Sequence, residues 1–287
     1  MPYHTSYLAL LVKSLNELKY IFLSPGLALM EANEEYKIKM HKNFNLFLAK
    51  YLPRFYDAHN SVDDIAELKN SQNFTTLNSQ EKFHYVIPYL SLLKINFINK
   101  QFKELSSFTR FKKYITYMAF EANNISALET EIAKFTFFNY SAIKNHSSQL
   151  RCKYITKNFI KKYKTAEELF QNCLNAAREI TYYRATIISE LMKINGYTQD
   201  SWLITADKGI KALSDVIGFV VNENNPMSPL ARRFIDDEVY NSSDYWYKCN
   251  EMYNNLTLLR LKMSSRCSHE EMYDRLLNCV KQLEKDL

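Results

Sequence analysis

The chain has 287 residues, 47% of them hydrophobic, and 37 Lys and Arg against 31 Asp and Glu give a formal net charge of +6. That apolar content supports a real core and excludes a wholly disordered chain, and the length fits one large domain or two small ones. Only four glycines occur (Gly26, Gly196, Gly209 and Gly218) where average usage would give roughly twenty. The phosphate-cradling patterns G-x-G-x-x-G and G-x-x-x-x-G-K-[ST] and the nucleophile elbow G-x-S-x-G are absent. Few residues suit the φ > 0 positions of tight hairpins. Rossmann folds, P-loop proteins and β-barrels are therefore disfavoured. The expectation is an all-α, irregular multi-helix bundle of about ten helices. It forms a single helical domain over 1–287, with a minor boundary near 222–226.

In chain order, residues 5–22 and 26–52 predict helices separated by Ser24-Pro25-Gly26, the second ending at Pro53 because proline disfavours a helical residue before it. A short helix is expected over 62–69, with Asp63 and Asp64 in its first turn. Asn78 and Glu81 have the spacing of a capping box opening a helix that runs to about residue 105 and carries Pro88. Helices over 108–121 and 126–138 follow. Thr165 and Glu168 form a second box, and Gly196 fits the residue after the helix that box opens. On that helix Leu169, Cys173, Ala176, Ile180, Tyr183, Ile187, Leu191 and Ile194 make one apolar stripe, as the centre of a bundle requires. Residues 202–221 predict an apolar helix interrupted by Gly209 and Gly218. Ser228-Pro229 has the form of a helix start, Ser243 or Asp244 opens another helix, and Ser268 with Glu271 opens the last.

Charge is unevenly distributed. Residues 1–93 balance to zero, residues 94–164 hold fourteen basic and four acidic side chains, and residues 165–287 carry −4. A block of +10 attracts nucleic acid, anionic lipid or an acidic protein. Within it, residues 151–164 read as a basic amphipathic helix. Lys153, Lys157, Lys161 and Lys164 form one ridge, and Cys152, Ile155, Phe159 and Tyr163 form an apolar face. Lys112 and Lys113, with Lys94, Lys100, Lys103 and Arg110, extend the basic set on preceding helices. Lysine favours diffuse electrostatic contact, because bidentate recognition prefers Arg.

Five cysteines, with no C-x-x-C, read as buried thiols in a reducing compartment. The apolar run over 7–12 is too short and too soon followed by charge for a membrane span, and no small-residue cleavage site follows it. The expectation is a cytoplasmic protein without a transmembrane segment, with export by a dedicated secretion machine left open. No cofactor or metal is implied.

Three patterns suggest chemistry. Arg54-Phe55-Tyr56-Asp57-Ala58-His59 resembles the R-x4–6-H pattern of HEPN-type helical ribonucleases, which implies that Arg54 and His59 sit together at RNA. The family usually has a polar residue directly after the Arg, where this chain has Phe55. Asp63-Asp64-Ile65-Ala66-Glu67 resembles the D-D-x-x-[DE] motif of all-α isoprenoid synthases, which implies Mg²⁺ and diphosphate chemistry. A second pair, Asp236-Asp237, lies four residues after Arg232 and Arg233, the spacing of helical ion pairs. Glu81 and His84 make one E-x-x-H, the element that di-iron bundles use in pairs. The leading expectation is a helical interaction protein with a basic face and a protein or polyanionic partner. High Lys, Asn, Tyr and Phe with low Gly resembles an AT-rich bacterial or viral genome, which suits an effector, immunity or defence protein. The alternative is an all-α enzyme with a site in a bundle cavity.

Overall fold

The structure, a computed structural model, describes residues 3–17, 23, 29, 34–55, 73–191, 193–194, 197–198, 203–205, 207–220, 230–233, 244–263 and 268–287. Among these, ten α-helices and two short antiparallel hairpins occur, so the fold is an all-α multi-helix bundle. The chain gathers into two units, Met1–Gln72 and Asn73–Leu287.

In the first unit, α1 (Tyr3–Glu17) and α2 (Glu34–Tyr51) bury Leu15, Leu48 and Leu52, with Leu11, Val12, Phe44 and Phe47 packed around them. Two polar contacts tie the helix ends. Asn16 Nδ2 donates to the Tyr51 carbonyl at 3.1 Å, and the Arg54 guanidinium donates to the Leu15 carbonyl.

The second unit is built around α3 (Ser79–Gln101). Its capping box forms as expected: Glu81 N donates to Asn78 Oδ1 at 2.9 Å and Asn78 N to Glu81 Oε2 at 3.1 Å. Tyr85, Val86, Tyr89, Leu90, Leu92, Leu93, Ile95 and Ile98 are buried, so the helix is enclosed nearly all round rather than on one stripe. Pro88 lies inside it and removes one backbone donor. The carbonyl this frees, that of His84, is approached at 3.5 Å by Thr181 Oγ1 of a neighbouring helix.

α4 (Ser107–Phe120) and α5 (Ala127–Phe137) follow. The chain leaves α4 through Asn123, whose φ of 51° is the left-handed conformation usually taken by Gly, while Asn124 N closes back on the Met118 carbonyl at 2.8 Å. Asn is the other residue that tolerates this conformation. In a chain so poor in glycine it serves as the helix terminator.

α5 is almost wholly buried and carries two ionic groups into the interior. Glu129 accepts from Arg184 Nη2 at 2.5 and 2.7 Å, and Lys134 Nζ donates to Glu131 Oε1 at 2.6 Å and Asn250 Oδ1 at 2.8 Å. Both are paired and hydrogen-bonded, as buried charges must be.

α6 (His146–Phe159) packs on α5. α7 (Ala166–Leu191) lies along α3, and of the expected stripe Leu169, Cys173, Ala176, Ile180 and Tyr183 are buried and Ile187 half-buried. The helix ends at Leu191, short of Gly196. Lys193–Ile194 (β1) pairs instead with Tyr197–Thr198 (β2), and the expected helix end at Gly196 lies outside the described residues. The helix-opening box is also shifted. Glu168 N donates to Thr165 Oγ1 at 3.2 Å, but the Glu168 carboxylate turns back to Lys164 N at 2.7 Å.

The expected helix over 202–221 is corrected. Among its described residues only α8 (Lys208–Ser214) is helical, capped by Asp207, whose Oδ1 accepts from Gly209 N and Ile210 N at 2.6 and 2.8 Å. Ile217–Val220 (β3) pairs antiparallel with Leu230–Arg233 (β4). The helix expected from Ser228-Pro229 is therefore a strand at 230–233. Proline also suits the approach to a strand, where no ladder donor is lost. The sequence Ile-Gly-Phe-Val is equally apt for a strand, and pairing decided it. Residues 222–226 lie outside the described residues, and β3 and β4 pair across them.

α9 (Tyr245–Met263) packs on α4, and α10 (His269–Asp286) on α3. Ser268 and Glu271 close the last capping box at 3.1 and 2.8 Å. Trp246 is buried among Phe135, Phe138 and Tyr245, with ring centroids 4.9, 5.1 and 5.3 Å away. Cys152, Cys173, Cys249 and Cys279 are free thiols, the first three buried, and burial raises the Cys173 pKa. No helix of the described residues is long and apolar enough to cross a membrane.

Candidate anion-binding surface

α6 begins at Asn145, whose Oδ1 accepts from Ser147 N and Ser148 N at 2.9 and 3.1 Å. Its apolar side, Cys152, Ile155 and Phe159, is buried as expected. The basic ridge is not one helical row. The helix stops at Phe159, and Ile160 turns away with φ −121° and ψ 81°. Lys153 and Lys157 remain on α6, while Lys161, Lys162 and Lys164 lie on the connection to α7. The local sequence would extend the helix. It ends where the chain passes into α7, whose N-cap Thr165 needs non-helical backbone.

Lys157, Lys162 and Lys164 are exposed, and Lys153 and Lys161 half-buried. Tyr163 packs against the core and pins the connection, and burial raises its hydroxyl pKa. A lysine the sequence reading missed joins this set. α8 packs tightly on α6, and Lys208 Nζ lies 5.8 Å from the centre of the Tyr154 ring, between Lys153 and Lys157 in the chain. The signal was Gly209, since a glycine interrupting a helical pattern marks a close backbone approach.

Lys112 and Lys113 are exposed on α4, and Lys113 Nζ sits 4.3 Å from the Phe102 ring centre. α4 packs on α3, α5 and α9, whereas α6 packs on α5, α7 and α8. The two basic sets are thus carried by different elements with α5 common to both. Three further cations of the block are engaged. Lys94 lies 3.8 and 4.8 Å from the Tyr117 and Phe97 ring centres, and burial lowers its pKa. Arg110 donates to Asn99 Oδ1 at 2.9 Å and the Phe137 carbonyl at 3.1 Å. Lys100 donates to the Leu287 main-chain oxygen at 2.9 Å.

The enzyme-like patterns gain little. Arg54 is held by the Leu15 carbonyl and lies 4.9 Å from the Phe55 ring centre. His59, Asp63 and Asp64 lie outside the described residues, as do Asp236 and Asp237. Glu81 is spent on its capping box, which leaves His84 without the carboxylate partner of an E-x-x-H site. Among the described residues no group of three His, Cys, Asp or Glu could hold a metal ion. An open cleft of about 520 Å³ between α4 and α10 is lined by Tyr117, Glu121, Asp274, Arg275, Asn278 and Cys279. Its one cation, Arg275, donates to the Phe120 and Glu121 carbonyls at 2.5 and 2.6 Å and so caps α4. No protein-family model, no curated protein and no solved structure matches the chain.

Proposed function

We propose that the chain is a helical interaction protein that engages an anionic partner through the exposed lysines of residues 94–164. The observation that carries this reading is where the charges of that block go. Of its four carboxylates, Glu129 is buried against Arg184, and Glu131, 12% exposed, pairs with the buried Lys134. Taking out these internal groups, and Lys94, Lys100 and Arg110 with their own partners, leaves ten cations against Glu104 and Glu121. The block's surface is thus more one-sided than its sequence. Such a surface raises the local concentration of anions and speeds their encounter. A role in infection, immunity or defence fits a protein that acts by binding.

The test is a salt titration against RNA, DNA, heparin, anionic vesicles and an acidic peptide. Binding at low salt should weaken steeply as salt rises. The variant Lys112→Glu/Lys113→Glu/Lys157→Glu/Lys164→Glu should lose it while melting near the wild type, since exposed changes usually stay within about 0.5 kcal/mol each. A wild type that ignores all five ligands at low salt overturns the reading.

A further inference from the structure

We infer that the end of α6, the connection that follows it and the start of α8 form one composite surface for the phosphate backbone of nucleic acid. The inference rests on the anionic-partner reading above and assigns it to one of the two basic sets. Three elements contribute. α6 supplies Lys157 in its last turn, the non-helical connection supplies Lys161, Lys162 and Lys164, and α8 supplies Lys208, whose Nζ lies 5.8 Å from the Tyr154 ring centre.

The connection adds a second kind of donor. Among the described residues, the backbone N–H groups of Lys161, Lys162 and Tyr163 meet no acceptor. They stand among three basic side chains, Lys161, Lys162 and Lys164, on a segment pinned to the core by Tyr163. Phosphate oxygens accept from lysine and from backbone N–H alike, and such contacts position a nucleic acid without reading its bases.

An anionic membrane fits this surface less well. Peripheral helices hold a bilayer by inserting an apolar face, and that face of α6 is already spent in the core. Among the described residues, no exposed large apolar side chain lies on α6 or on residues 160–165. An acidic protein would gain from charge alone. The unbonded backbone donors favour a ligand that presents many closely spaced oxygen acceptors. Lysine in place of arginine implies binding that is indifferent to sequence.

The test measures fluorescence anisotropy of labelled oligouridylate, single-stranded DNA and duplex DNA across a salt series. Phosphatidylserine vesicles and polyglutamate are the competing arms. With five lysines engaged, log K should fall against log salt with a slope of about −4, or about 250-fold between 50 and 200 mM. Lys208→Gln should lower that slope by about 1, although it lies more than forty residues from the other lysines. Lys161→Gln/Lys162→Gln/Lys164→Gln should lower it by about 3, while Lys112→Gln/Lys113→Gln leaves it unchanged. If only the Lys112/Lys113 variant loses affinity, or only vesicles or polyglutamate bind, the inference falls and the anionic-partner reading stands. If Lys208→Gln leaves the slope unchanged, the surface is not composite and the inference also falls. If nothing binds, both fall.

Discussion

Gly209 and Asn158 touch so closely that a Cβ added to Gly209 would lie 2.3 Å from the Asn158 Cβ. That contact seats α8 on α6, while Asn158 Nδ2 donates onward to Glu179 of α7 at 2.7 Å. The glycine reads as a helix interruption in the sequence. In the fold it allows two backbones to approach and carries Lys208 to Tyr154.

Gly209→Ala should therefore destabilise the protein. Overpacking costs roughly 1–3 kcal/mol, against which alanine recovers up to about 1 kcal/mol of helix propensity. A urea melt should show a net loss, and the salt slope for oligouridylate should fall with it as Lys208 is displaced. An unchanged melt would mean that the interface yields without cost.

The buried ion pair gives an opposite pattern in single and double variants. Glu129→Ala strands Arg184, whose side chain is 24% exposed. The loss should be roughly 2–4 kcal/mol, less than for a wholly buried partner because Arg184 keeps some water. Glu129→Met/Arg184→Met should recover most of it, since two apolar side chains need no desolvated charge. Chemical denaturation of the three proteins checks this.

On α7, Ile180→Ala should cost about 2–5 kcal/mol, because Ile180 is fully buried and the lost methylenes leave a cavity. Glu167→Ala, exposed on the same helix, should stay within about 0.5 kcal/mol. Similar losses at both sites would show that the stripe is not a core.

Glu284 gives a pH signature. Burial raises its pKa above the usual 4.5, although the hydrogen bond it accepts from Tyr89 at 2.6 Å pulls the other way. A carboxyl with a raised folded pKa binds more protons folded than unfolded. It therefore favours the fold below pH 4.5 and loses that advantage as pH rises through the folded value. The stability of wild type minus that of Glu284→Gln should fall as pH increases from about 4. A difference that is flat, or that rises, would contradict the burial of this group.

Much of the helical framework was legible in the sequence. The boxes at Asn78 and Ser268 state their own geometry, because a cap forms between residues three apart and needs no distant partner. The buried stripe of α7 was legible for the same reason, since helical periodicity is a local property. Residues 217–220 were not legible, because Ile-Gly-Phe-Val suits a helix or a strand and only pairing with 230–233 selects one. The lysine ridge failed similarly. Lys153 to Lys164 have helical spacing, but residues 160–165 leave the helix in the connection to α7.

What the sequence by itself determined was the class of the fold, the caps, the apolar stripes and the excess of positive charge over 94–164. Only the tertiary structure decided which charges are internal and which lysines are exposed. Lys134 and Lys157 are the same residue type in the same basic block. The first is buried beside Glu131 and Asn250, and the second is exposed to solvent. Burial depends on which helices pack together, and that follows from contacts between residues far apart in the chain. No local pattern encodes those contacts.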